Sequence, residues 1–166
     1  MAVDSAVFKH VMRQWASGVT VITTLSGEKL IGVTASAFNS VSADPPLVLV
    51  CLNRKLYTHG VIEEAGLFAV NILSAEQGDI GKLFAGMMPS VADRFTGLAY
   101  TTAVTGCPIL PDTAGWLDCE LRYAYPAGDH TIFVGEVVAA AAPDNADPLV
   151  YHSHRWGQFT GLARSS

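Results

Sequence analysis

Asp44-Pro45-Pro46-Leu47-Val48-Leu49-Val50-Cys51-Leu52 is the stretch on which the fold turns. Proline holds the residue before it in extended backbone, so the run opens as a strand. Six apolar residues in succession then read as a strand buried on both faces, expected at the centre of a sheet. Immediately upstream, Gly32 to Ala43 is a chain of small residues and hydroxyls. Before that, Val19 to Leu25 and Leu30 to Thr34, rich in β-branched residues and separated by Ser26-Gly27, read as a hairpin. Furthest upstream, Phe8, Val11, Met12 and Trp15 recur at helical spacing behind Asp4 and Ser5, which suit a cap, so an amphipathic helix is expected from Ser5 to Trp15.

Downstream, Asn53-Arg54-Lys55 reads as a basic loop, followed by a short helix capped by Thr58 and stopped at Gly66. Leu67 to Leu73 is the next strand. Ile80, Leu83 and Phe84 supply a helical stripe between Ala75 and Gly86, although Gly78 and Gly81 weaken it. Residues 87–105 read as irregular. Trp116 to Tyr125 and His130 to Ala142 are two long strands joined by the loop Pro126-Ala127-Gly128-Asp129, and Leu149-Val150-Tyr151 is a last short strand. Many strands with a few short helices predict a mainly β, α+β barrel and not a parallel α/β sheet. No internal repeat or linker divides the chain, so one domain over 1–166 is expected, with its core at about 8–159.

The 166 residues are 50% hydrophobic and 15% charged, with a formal net charge of -5; the mean hydropathy is +0.32. So apolar a composition in so short a chain predicts that some apolar surface is covered by a partner chain. The acidic balance gives no reason to expect nucleic acid. Cys51, Cys107 and Cys119 form an odd set without a C-x-x-C pair and read as reduced thiols of the cytoplasm. The first residues lack the basic-then-apolar order of a signal peptide, and no apolar run is long enough to span a membrane.

Three segments carry candidate chemistry. The hydroxyls of Thr34, Ser36, Ser40 and Ser42 lie among small residues that let a ligand approach the backbone, although the same segment also reads as a polar strand exit. Arg54 stands beside Thr58 at a helix start, where free N–H groups favour an anion; a solvated basic loop is the alternative. Gly128-Asp129-His130 places an imidazole beside a tight turn, either to bond a ligand or as a surface residue. His152 and His154 alternate as residues on one strand face would, but no Cys, Asp or Glu cluster accompanies them, so no metal is expected. Cys51 has no base partner and reads as a small hydrophobe. A G-x-G-x-x-G fingerprint is absent, so any nicotinamide cofactor must bind without a dinucleotide-binding βαβ unit.

Taken in order, Trp15-Ala16-Ser17-Gly18-Val19-Thr20-Val21-Ile22-Thr23, Gly32 through Asn53, Phe68 to Leu73, Phe84, Arg94-Phe95, Gly128 to Val137 and Pro148-Leu149-Val150-Tyr151 resemble the short-chain flavin reductase family over about Phe8 to Phe159. The resemblance implies the FMN-binding split β-barrel, of Greek-key type, as a homodimer with flavin near the subunit interface. It implies an NAD(P)H:flavin oxidoreductase that reduces FAD or FMN and supplies a separate flavin-dependent monooxygenase. By the same resemblance, Thr34, Ala35, Ser36, Ser40, Val41 and Ser42 line the ribityl chain and ring, and Cys51, Leu52 and Asn53 support the ring edge. Arg54 and Thr58 hold phosphate, and Phe84 and Phe95 close the groove. His130 contacts the nicotinamide, with Tyr151 or Trp156 over its other side. Leu56 and Tyr57 depart from the small or hydroxylated residues frequent in that loop.

In this reading the protein supplies stacking and orientation, and His130 is the catalytic-site residue in a positioning role. NADH is favoured over NADPH because no basic pair is assignable to a 2′-phosphate. The rival readings are an FMN-binding electron carrier without NAD(P)H turnover, a pyridoxamine-phosphate-oxidase-like enzyme, and a non-catalytic interaction module.

Overall fold

A computed structural model describes residues 3–161; the ends of the expected domain span, including the Met1-Ala2 start, lie outside the described residues. Asp4 accepts from the backbone N–H of Ala6 at 2.8 Å and opens helix α1, Ser5–Met12, which stops three residues short of the expected Trp15. Strand β1, Ser17–Gly18, leads into the predicted hairpin of β2, Thr20–Ser26, and β3, Lys29–Ala35. A strand absent from the sequence reading follows: β4, Phe38–Ala43, whose polar residues mask it. Next come β5, Pro46–Asn53, helix α2, Tyr57–Ala65, and β6, Leu67–Ile72. A 3-10 turn at Ala75–Gln77 runs into α3, Gly78–Phe84. After the irregular segment come β7, Gly115–Ala127, β8, His130–Ala141, β9, Leu149–His152, and the unanticipated β10, Arg155–Gln158.

Seven strands form one antiparallel sheet in the order β3-β2-β6-β7-β8-β5-β4, and β1-β9-β10 form a second, small sheet. The end strands β3 and β4 are not hydrogen-bonded to each other. The large sheet coils around Ile22, Val50, Leu52, Ile62, Phe68, Val70 and Phe133. A second core of Val19, Leu73, Phe84, Phe95 and Leu149 seats α3 and the small sheet against it. Mainly β structure with short helices is therefore what the chain adopts. Among the described residues, no helix is long and apolar enough to cross a membrane.

Several expectations are corrected. The apolar run is not the central strand: β5 stands sixth of seven, and β7 is central. Nor is it buried on both faces. Val48, Val50 and Leu52 point into the core, whereas Leu47, Leu49 and Cys51 are only half-buried, the two-residue alternation of a strand with one open face. Thr58 does not cap α2. The cap position is Leu56, which makes no side-chain hydrogen bond, and Thr58 is buried within the first turn. Gly66 does end the helix, in the left-handed conformation that glycine adopts without a Cβ clash. The long hairpin is tighter than expected: β7 runs on through Pro126-Ala127, leaving only Gly128-Asp129 as the loop, with Gly128 at φ 64°. His152 and His154 do not share a strand face, because Ser153 and His154 form the β9–β10 turn with φ of 49° and 61°.

Candidate active site

A groove of about 690 Å³ opens where α1, the β3–β4 connection, the outward face of β5 and the β9–β10 turn meet. That volume is within the roughly 300–1,000 Å³ of small-molecule sites. Each wall has a local cause. The outward alternation of β5 delivers Leu49 and Cys51. Ser36, Ala37, Phe38 and Asn39 lie alongside, held by the bond from the Cys51 N–H to the Ala37 carbonyl at 2.9 Å. From α1 come Phe8 and Met12, and Trp15 follows just past its end. Phe8 is 56% and Trp15 72% exposed, so the apolar stripe of the helix faces open space and not the core. Across from it, Ser153 donates its hydroxyl to the Arg13 carbonyl at 3.0 Å and ties the turn to the helix end.

The structure separates the residues singled out from sequence. Ser36, Cys51 and Tyr151 meet in this groove. Thr58, Phe84 and Phe95 line a second depression of about 820 Å³, together with Lys29, Tyr57 and Arg94. The Phe84 and Phe95 rings meet edge to face at 5.1 Å and belong to the second core, and Arg94 anchors them by donating to the Gly32 and Phe84 carbonyls. Thr34 spends its hydroxyl on the Gly81 carbonyl at 2.7 Å. Ala35 and Leu52 are core residues. Ser40 and Val41 are exposed and Ser42 half-buried on β4, where a bulge interrupts the pairing with β5. Trp156 packs edge to face on Tyr151 at 5.7 Å.

At the far end of β5, Asn53 pairs with His130 across the β5–β8 ladder, and the Arg54 N–H bonds to the Asp129 carbonyl at 3.0 Å. Asn53 accepts from the Lys55 N–H and shapes the basic loop. Leu49, Cys51 and Asn53 therefore form one outward stripe from the groove to the His130 turn. His130 Nδ1 lies 2.7 Å from Asp129 Oδ1. The Asp129 carboxyl is held below its usual range by that hydrogen bond first, then by the His130 charge, with a smaller pull from Lys55. Burial raises the Cys51 thiol, which suits a wall residue and not a nucleophile. No group of three metal-ligating side chains occurs among the described residues.

The sequence reading missed Leu49, Phe38 and Asn39 as groove residues, and did not connect α1 with the site. A signal for Leu49 existed: it stands two positions before Cys51 and so shares its face. None existed for α1, since its place depends on contacts far along the chain.

Flat apolar walls, polar backbone edges and an oriented imidazole at the end of the stripe define a small β-rich protein with an open groove of small-molecule size. Residues 12–160 match the flavin reductase like domain. The chain is 36% identical over 158 residues to the NADH-dependent FMN reductase RutF of Stutzerimonas stutzeri, covering 95% of this chain and 88% of that protein. It is 40% identical over 156 residues to the reductase component of a 4-nitrophenol monooxygenase from Rhodococcus opacus, covering 94% and 82%. A probable flavin reductase of Rhizobium meliloti is 40% identical over 137 residues, 82% of this chain, but this chain spans only 43% of its length. The solved NADH:FAD oxidoreductase SgcE6 of Streptomyces globisporus, in complex with NAD and FAD fragments, superposes with a TM-score of 0.88 at 31% identity, covering 98% and 99%. The chain belongs to the flavin reductase family and is an NAD(P)H-dependent flavin reductase, and the open coil of its large sheet is the split barrel of that family.

Proposed function

We propose that the protein works as a homodimer of single-domain chains, takes FAD or FMN as a diffusible substrate, prefers NADH as reductant, and passes the reduced flavin to a separate monooxygenase in the cytoplasm. The observation that carries this reading is the open groove joined by the Leu49-Cys51-Asn53 stripe to His130. An isoalloxazine needs two flat apolar surfaces and polar groups at its edge. Leu49, Trp15 and Phe8 offer the first, Ser36, Asn39 and nearby backbone the second. Arg54, beside the uncapped start of α2, offers a cation and free N–H groups for a flavin phosphate.

When bound, the flavin supplies a ring that accepts hydride from the nicotinamide. What the chain supplies is position. His130, fixed by Asp129, presents its second nitrogen to the nicotinamide carboxamide, while Tyr151, steadied against Trp156, covers the opposite side. No side chain has to give up or take a proton in this arrangement, which agrees with the lack of a strong acid-base pair in the groove.

A homodimer is supported by apolar surface on two elements. Tyr123 and Tyr125 stack at 5.8 Å, both more than half exposed, on the outward face that also carries Ile132 and Leu49. The α1 stripe is exposed as well. A monooxygenase client is supported by the Rhodococcus relative, a reductase component. Cytoplasmic residence is supported by three unpaired cysteines.

Anaerobic mixing of the protein with NADH and excess FAD or FMN tests the reading. Catalytic bleaching of the flavin band is expected, faster with NADH than with NADPH, and most of the reduced flavin should pass through a small-pore filter. Absence of bleaching with every combination would end the proposal.

A further inference from the structure

His59 is the one buried histidine among the described residues, 6% exposed in the first turn of α2, and it lines neither the groove nor the second depression. Its Nε2 lies 2.7 Å from the hydroxyl of Thr131, which is itself 1% exposed. The Glu63 carboxylate, 3.6 Å from Nδ1, favours a hydrogen on that nitrogen, so Thr131 donates to Nε2. The ring also meets Phe133 edge to face at 5.0 Å. An apolar side chain could make that packing contact; what the imidazole adds is a directed bond between α2 and β8.

Both ends of that bond adjoin proposed substrate contacts. Upstream of His59, a run of hydrogen bonds stiffens the basic loop: the Leu56 N–H donates to the Asn53 carbonyl at 3.0 Å and the His59 N–H to the Leu56 carbonyl at 3.1 Å. Thr131 directly follows His130 in β8, and strand alternation turns its side chain inward while His130 faces out. The Arg54 N–H already bonds to the Asp129 carbonyl. Loop and hairpin are therefore clamped at two points, one through backbone and one through buried side chains, so a shift in one displaces the other. Because α2 starts without a side-chain cap, the buried clamp also fixes where the helix begins.

Resting on the flavin reductase reading, we propose that His59 is a positioning residue: through Thr131 it couples the Arg54 loop, where the flavin phosphate binds, to the hairpin that presents His130 to the nicotinamide. Phosphate on the loop steadies the hairpin, so a phosphorylated flavin makes a better site for the dinucleotide than one without phosphate. By linkage, the dinucleotide tightens the phosphorylated flavin to the same degree.

The test compares FMN with riboflavin, which lacks the phosphate, on the full-length protein, with NAD+ as a non-reducing partner. Flavin fluorescence gives the Kd of each flavin with and without NAD+. In the wild type, NAD+ should lower the Kd of FMN about three- to fivefold more than that of riboflavin, the scale of one buried hydrogen bond. At saturating flavin, the KM for NADH should likewise be lower with FMN. Thr131→Val removes the hydroxyl and should erase both differences, whereas Thr131→Ser keeps it and should preserve them. His59→Leu combined with Thr131→Val replaces both polar groups, so Tm should stay near that of the wild type while the differences are still lost. A purely structural pair would not separate stability from coupling in this way.

Three results overturn the assignment. One is an equal action of NAD+ on FMN and riboflavin in the wild type. Another is a wild-type difference retained in both valine variants, whatever their affinity for FMN. The third is a loss in Thr131→Ser as complete as in Thr131→Val, which would take the hydroxyl out of the coupling. A wild-type protein that reduces no flavin with NADH would instead refute the underlying reductase reading.

Discussion

His130 Nδ1 and Asp129 Oδ1 stand 2.7 Å apart at the mouth of the β7–β8 hairpin. An ionised carboxylate only accepts, so Nδ1 carries the hydrogen and Nε2 faces outward. The hairpin loop has only two residues, Gly128 and Asp129, which leaves this pair little freedom to separate.

Removing either partner is expected to weaken use of the nicotinamide more than flavin binding. His130→Ala and Asp129→Ala should each raise the KM for NADH by roughly three- to tenfold and leave the Kd for FMN within twofold. Equal losses in both constants would remove His130 from the nicotinamide side. The pH sign follows from the lowered Asp129 carboxyl. Its contribution is complete above the usual carboxylate range and is lost as pH falls through the lowered folded value. The KM for NADH should therefore be flat in this respect from pH 7 to 5, and NMR of the His130 ring should report the contact failing only in more acidic solution.

Gly135 has no room for a side chain. A Cβ there would lie 2.5 Å from Phe68 Cζ and 3.0 Å from the Cys119 Cβ, and Phe68 is completely buried. Gly135→Ala should cost about 1–3 kcal/mol in urea unfolding by overpacking the first core. Adding Phe68→Leu should recover part of that loss, and a neutral Gly135→Ala would contradict the packing described.

Burial, with the neighbouring Asp118 carboxylate adding to it, pushes the Cys107 thiol up to about 11 and Cys119 to about 12. These are above the usual 9.0. A raised folded value means that the contribution to stability is full below 9 and is lost as pH rises through the folded values. Tm should fall between pH 9 and 11, and Cys119→Val should flatten that limb. In native protein at pH 8, a thiol reagent should modify Cys51 slowly and spare the other two, whereas denaturant should expose all three.

The stacked tyrosines offer a direct check on assembly. Tyr123→Glu with Tyr125→Glu should raise the dimer dissociation constant at least about tenfold in sedimentation equilibrium, with the far-ultraviolet spectrum unchanged. Wild-type protein sedimenting as a monomer at every concentration would remove the dimer from the proposal.

The segments that the sequence alone determined are those whose signal is local. β-branched runs, the Ser26-Gly27 and Gly128-Asp129 turns and the Gly66 stop act over a few residues, so the hairpins and helices stand close to where periodicity and turn chemistry put them. The linked motifs likewise carried the family, and with it flavin and nicotinamide. What tertiary structure decided is everything set by pairing between distant segments. Strand order moved the apolar run to sixth place and opened one of its faces, because six apolar residues look alike whether their second face meets a core or a groove. Thr58 went inward because packing against the sheet outweighed its value as a cap. The bond from Ser153 to Arg13 spans 140 residues and brings α1 to the groove; no local pattern encodes it, because such proximity arises only after the sheet has coiled and brought these two distant segments together.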